Sequence, residues 1–138
     1  MRFEINNLDE LNKVVIYLLD KLAVNVCLII DGQMGAGKTT LTKKILKKME
    51  INEIVTSPTF TIMNQYQIND LKINHIDAYR LTLQENSQMY LEEMFDSLNI
   101  VEWSQNLAIN YNSYFKVIKI VINVIDENKR VFIIEEEN

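Results

Sequence analysis

The residues best suited to chemistry stand side by side: Gly32-Gln33-Met34-Gly35-Ala36-Gly37-Lys38-Thr39 fits the pattern G-x-x-x-x-G-K-[ST]. Glycines let successive backbone N–H groups turn inward around phosphate oxygens, and the unpaired amides of a following helix's first turn add partial positive charge. In such a cradle Gly32, Gly35, Ala36 and Gly37 surround the phosphates. Lys38 reaches the β- and γ-phosphates, the Thr39 hydroxyl takes Mg²⁺, and Thr40 adds a contact from the helix start. All three glycines of the chain fall in this one loop. A sequence that turns elsewhere with Asn, Asp and Lys has placed every residue able to adopt φ > 0 without steric cost there.

Holding a phosphate is not the same as transferring it, which also needs an acid on the metal side and a positioned water. Two acids compete for that role. Glu102 ends the run Leu98-Asn99-Ile100-Val101, and Asp77 follows the alternating stretch Ile73 to Ile76. Each also fits an ordinary strand-end or turn-capping acid. Ser57 and Thr59 bracket the only proline, Pro58, whose ring fixes φ and lets the segment present hydroxyls as a phosphate-sensing switch does; a plain strand-entry loop explains the same residues. The only arginines are Arg2, Arg80 and Arg130, so a catalytic finger in cis would be Arg80 or Arg130. Asn128-Lys129 runs into Arg130-Val131, so no N-K-x-D guanine-reading tetrad exists, and adenine is the base expected by default.

The elements that must position these groups can be read coarsely. Residues 2–6 form a short strand. Asn7, with Glu10 three positions on, opens a helix through about Leu22 in the manner of a capping box. Val24 to Ile30 is an almost wholly apolar run, the mark of a strand covered on both faces, and it feeds the glycine loop. Lys38 to about Met49 is helical, with Lys43, Lys44, Lys47 and Lys48 expected as a solvated face rather than an anionic-ligand patch. Thr59–Ile68 and Lys72–Asp77 read as a hairpin about Asn69-Asp70, Gln88–Ser97 as a helix, and Asn99–Glu102 as a strand. Tyr114–Ile125 and Arg130–Ile134 form a second hairpin, leaving Glu135 to Glu137 as a solvated tail. The expected architecture is α/β: a single P-loop NTPase-type domain over residues 1–138, with a mixed parallel/antiparallel sheet flanked by helices.

Composition bounds the rest. A chain of 138 residues, 48% hydrophobic and 24% charged, suits one core and one main site. The single cysteine, Cys27, cannot form an intramolecular disulfide, which fits a reducing cytoplasm. The N-terminus lacks a signal peptide's apolar stretch and no run is long enough to span a bilayer, so neither export nor a membrane role is expected. With 14 basic and 19 acidic residues the net charge is −5, which excludes unaided gripping of DNA or RNA.

The order G-x-x-G-A-G-K-T-T, S-P-T-F, H-x-D-x-Y-R and E-W, from Gly32 to Trp103, resembles the bacterial TsaE (YjeE) family. That family comprises the P-loop ATPases of tRNA threonylcarbamoyladenosine biosynthesis. The resemblance implies a small α/β P-loop domain that binds Mg-ATP and hydrolyses it slowly alone. It also implies TsaB-like and TsaD-like partners, with tRNA met only through their complex. It assigns phosphate and Mg²⁺ roles to Lys38 and Thr39, the Mg²⁺-side acid to Glu102, an aid to catalysis or metal placement to Asp77, and a switch hydroxyl to Thr59. Trp103 is implied to pack near the nucleotide or the partner surface, and Tyr79 and Arg80 become candidates for switch or partner contacts. The chain departs from the family at Gln33, where Asp is common, at Met34, where Leu is common, and in lacking the usual glycine before Glu93. Two other readings compete. A small-molecule P-loop kinase would need an Arg-rich lid that the sequence does not offer; in a non-catalytic adaptor, bound nucleotide would only order the 57–60 loop.

Overall fold

The computed structural model describes residues 1–51, 62–81 and 87–137. Seven strands form one sheet in the order β1-β7-β6-β2-β5-β4-β3. Here β1 is Arg2–Ile5, β2 Val26–Gly32, β3 Met63–Ile68, β4 Leu71–Asp77, β5 Ser97–Glu102, β6 Lys116–Val124 and β7 Arg130–Glu137. The four central strands, β6, β2, β5 and β4, are parallel, and antiparallel partners flank them on both sides. The expected mixed α/β sheet is therefore the one observed.

Burial explains the middle of the sheet. Val26 through Ile30 are all buried, because parallel strands joined by crossover helices are covered on both faces. Leu28 and Ile30 point into a core layer with α1 (Leu11–Leu19) and α2 (Lys38–Lys48). Cys27 and Ile29 point into the opposite layer with α3 (Ser87–Met94). In α1, Leu11, Val14, Val15 and Leu18 form the buried stripe, the i, i+3, i+4, i+7 spacing of one helical face.

Several boundaries differ from the sequence reading, each for a local reason. The first helix begins as a 3₁₀ turn over Leu8–Glu10 and ends at Leu19 rather than near Leu22. Asn7 caps it by accepting from Glu10 N at 3.0 Å, while Glu10 reaches back to Asn6 N at 2.7 Å. The strand β2 starts two residues late because Asn25 adopts φ 65° and Val24 stays exposed. Ser97 belongs to β5, since Asp96, at φ 58°, turns the chain out of α3. Glu135 to Glu137 are not a tail. They extend β7, paired with Lys119, Ile118 and Val117 of β6, and Glu136 faces Lys116 at 3.4 Å. Both expected hairpin turns are present, about Asn69-Asp70 and about 126–129. Lys43, Lys47 and Lys48 are exposed, and Lys44 half-buried. None of the four forms an ion pair among the described residues.

Candidate functional site

The site follows from topology. In an open parallel sheet, ligands settle beyond the carboxyl ends of the strands, where the strand order diverges. The strand β2 leaves its chain neighbours there, with β5 on one side and β6 on the other. Its last residue, Gly32, opens the loop that ends at α2. A Cβ on Gly32 would lie 3.0 Å from Ala36 Cβ and 3.2 Å from Ile122 O, so close packing explains that glycine. Gly35 and Gly37 instead take φ 80° and 112°, the left-handed region where a side chain is strained.

Lys38 is buried and its Nζ donates to Gly32 O at 2.6 Å and to Gln33 O at 3.0 Å. It also lies 4.6 Å from the centre of the Trp103 ring. An ammonium has three donors, so one remains for an anion. Thr39 Oγ1 donates to Glu102 Oε1 at 3.0 Å, and Glu102 Oε2 meets His75 Nε2 at 2.5 Å. Glu102 is only 1% exposed. The β4–β5 register sets Asp77 opposite Glu102, and Ala78 N bonds Glu102 O at 3.0 Å. Unlike Glu102, Asp77 is exposed, its Oδ1 accepting from Tyr79 N at 3.2 Å.

These groups line one cavity of about 720 Å³, together with Met34, Gly35, Gly37, Thr40, Ile62, Asn64, Tyr79, Arg80 and Trp103. At its rim the Tyr79 and Trp103 rings stack, with centroids 5.0 Å apart. Asn106 fixes the Tyr79 turn by donating to the Ala78 and Tyr79 carbonyls. Trp103 itself holds φ 60°, an uncommon conformation for a bulky residue and one found at functional turns. A second cleft of about 300 Å³ opens on the other side of the glycine loop, between Ile5, Leu8, Leu11, Phe132 and the 127–130 turn. Arg130 closes it, donating from Nε to Ala36 O and from its guanidinium to Asp126 O. That turn is tied by Asp126, whose carboxylate accepts from Asn128 N and Lys129 N and is held below its usual range by those donors.

A family model described as threonylcarbamoyl adenosine biosynthesis protein TsaE matches residues 5–132. The chain belongs to the TsaE family. A tRNA threonylcarbamoyladenosine biosynthesis protein TsaE from Rickettsia felis is 32% identical over 130 residues, covering 92% of this chain and 75% of its own. The protein of that name from a Nostoc species is 33% identical over 109 residues, 75% of this chain and 67% of its own. The crystal structure of Bacillus subtilis YdiB superposes with a TM-score of 0.65 at 26% identity, covering 96% of this chain and 82% of the other.

Within this TsaE fold, Gly35, Gly37, Lys38, Thr39, Thr40, Asp77 and Glu102 come together on the larger cavity, with Gly32 and Ala36 framing the loop. Thr59 and the rest of Ser57 to Phe60 lie outside the described residues. Of the two arginines considered as a finger, Arg80 lines the larger cavity and Arg130 supports the loop from the smaller one. His75 is the residue whose part is missed by spacing: only its alternation with Asp77 on β4 signals that both share a face. The smaller cleft is missed too, because its walls come from β1, the first helix and β7.

No three His, Cys, Asp or Glu residues converge as a metal cage among the described residues. A cation here would rest on one or two protein oxygens plus phosphate oxygens, which is how Mg²⁺ is usually held. The Thr39 hydroxyl beside the Glu102 carboxylate is a donor set of that kind. No helix among the described residues is long and apolar enough to cross a membrane.

Proposed function

We propose that this protein is the ATP-binding and ATP-hydrolysing accessory protein of the machinery that makes N6-threonylcarbamoyladenosine in tRNA. Hydrolysis is gated by TsaB-like and TsaD-like partners in the cytoplasm. The names of its relatives support the pathway. The observation that carries the chemistry is the convergence of Lys38, Thr39 and Glu102 on one cavity beyond the ends of β2 and β5.

In this reading the amides of residues 32–39 and the start of α2 cradle the triphosphate, and Lys38 gives its remaining donor to the β- and γ-oxygens. Thr39, with Glu102 behind it, would hold Mg²⁺, which when bound would supply positive charge to the phosphates. Asp77, exposed on the same cavity, would aid catalysis or metal placement, and Thr59 would sense the γ-phosphate. The base enters the smaller cleft, where Ile5, Leu8, Leu11 and Phe132 offer apolar walls to a flat ring and Asn7 and Asn128 offer polar groups. A net charge of −5 supports tRNA being met through the partners rather than gripped directly.

Steady-state ADP release tests this reading, measured for the protein alone and with TsaB-like and TsaD-like proteins plus tRNA, with Lys38→Ala as blank. Stimulation by the partners is the expected result. Intact ATP binding without stimulation would overturn gating and favour an adaptor, and ADP formation dependent on a small acceptor would favour a kinase.

A further inference from the structure

Glu102 is gripped from two sides, by Thr39 on Oε1 and by His75 on Oε2. An ionised carboxylate only accepts hydrogen bonds, so with Glu102 ionised both neighbours donate to it. A threonine hydroxyl has one hydrogen and two lone pairs. With its hydrogen committed to Glu102, the lone pairs of Thr39 Oγ1 are left for the cavity that Thr39 lines. That is the orientation a hydroxyl needs to ligate a hard cation. The direction of the hydroxyl therefore depends on where the carboxylate stands, and the carboxylate is fixed on its other oxygen by His75. His75 is itself 9% exposed and anchored mid-strand, paired with Asn64 on β3 and Ile100 on β5. Both carboxylate oxygens of Glu102 are thus engaged, one by Thr39 and one by His75.

We propose that His75 is a positioning residue for the cation on the phosphate loop: by donating to Glu102 Oε2 it fixes the carboxylate that aims the Thr39 hydroxyl. This rests on the Mg-ATP reading above. His75 acts here through Glu102 and Thr39, so its loss should weaken metal-dependent binding more than metal-independent binding.

The test is calorimetric titration of a non-hydrolysable ATP analogue into the full chain, in chelator and in Mg²⁺, for wild type, His75→Leu and His75→Gln. Leucine fills the space without a donor; the glutamine amide keeps one. We expect His75→Leu to hold its metal-free affinity within about twofold and to lose about tenfold of the gain that Mg²⁺ gives wild type, the scale seen for partners of metal ligands. His75→Gln is expected to recover most of that gain. If His75→Leu does not fold, His75→Asn, whose shorter side chain stops short of Glu102, replaces it. Equal loss with and without Mg²⁺, an undiminished gain in His75→Leu, or a glutamine variant no better than leucine would each overturn the proposal. A wild type with no Mg²⁺-dependent gain would instead remove the Mg-ATP reading, and this inference with it.

Discussion

At the scale of single residues, the proposed function gives Lys38 and Glu102 different work. In the proposed reading Lys38 meets phosphate as a charge, so Lys38→Ala should cost a charge-assisted hydrogen bond, about 1.5–3 kcal/mol of nucleotide binding free energy. Isothermal titration with ATP checks this, and unchanged affinity would take the loop out of the mechanism. Glu102 is buried and accepts from Thr39, so in the same reading its contribution belongs to the moment when charge develops on the transferring phosphate. Glu102→Ala is therefore expected to lower single-turnover hydrolysis by more than it lowers affinity. Equal losses would assign Glu102 to structure alone. The loop was legible in the sequence because its eight residues are contiguous. The grip of His75 on Glu102 was not, because 27 positions separate them and only the β4–β5 register makes them neighbours.

At the scale of elements, the polar seam that attaches α3 to the sheet is open to direct measurement. Glu93 on α3 accepts from Lys72 Nζ at 2.8 Å and from Gln65 Nε2 at 2.9 Å, and Asn74 Nδ2 donates to the Glu93 carbonyl at 3.0 Å. The Lys72 and Gln65 donors hold the Glu93 carboxyl below its ordinary 4.5. Because the folded value is the lower one, the pair's stabilisation is fully present above about pH 4.5 and is lost as pH falls through the lowered value. Glu93→Gln should therefore flatten the acid limb of the stability curve while costing about 0.2–1 kcal/mol at neutral pH, the range for part-exposed ion pairs. Urea unfolding between pH 7 and 3 reads both effects, and parallel acid limbs would contradict the assignment. Elements were legible where periodicity was long, as in α1 and α2. They slipped where one residue's backbone decides: Asn25 and Asp96, both at positive φ, end the turns that a hydrophobicity pattern runs straight through. Glu135 to Glu137 resemble a tail by charge alone, whereas backbone pairing with Val117 to Lys119 places them in the strand, with Lys116 beside Glu136.

At the scale of the whole molecule, the site and the core share a strand. The strand β2 is hydrogen-bonded on both sides, to β5 and β6, and it carries the phosphate loop at its end and Cys27 near its start. Cys27 is fully buried, and burial pushes its thiol well above the usual range, so it should react with a thiol reagent only when β2 is exposed. If that opening is global, a ligand that binds only the folded chain slows labelling by the factor it adds to stability. At nucleotide 100-fold above its dissociation constant this is about 2.7 kcal/mol, on the order of 100-fold in rate when closing outpaces labelling. Labelling of Cys27 by a chromogenic disulfide, with and without saturating ATP, measures it. A rate that ATP leaves unchanged would mean that the start of β2 opens without dismantling the loop at its end. The two halves of the strand would then be separate cooperative units, and the glycine loop would owe its geometry to α2 and the Arg130 turn rather than to the sheet.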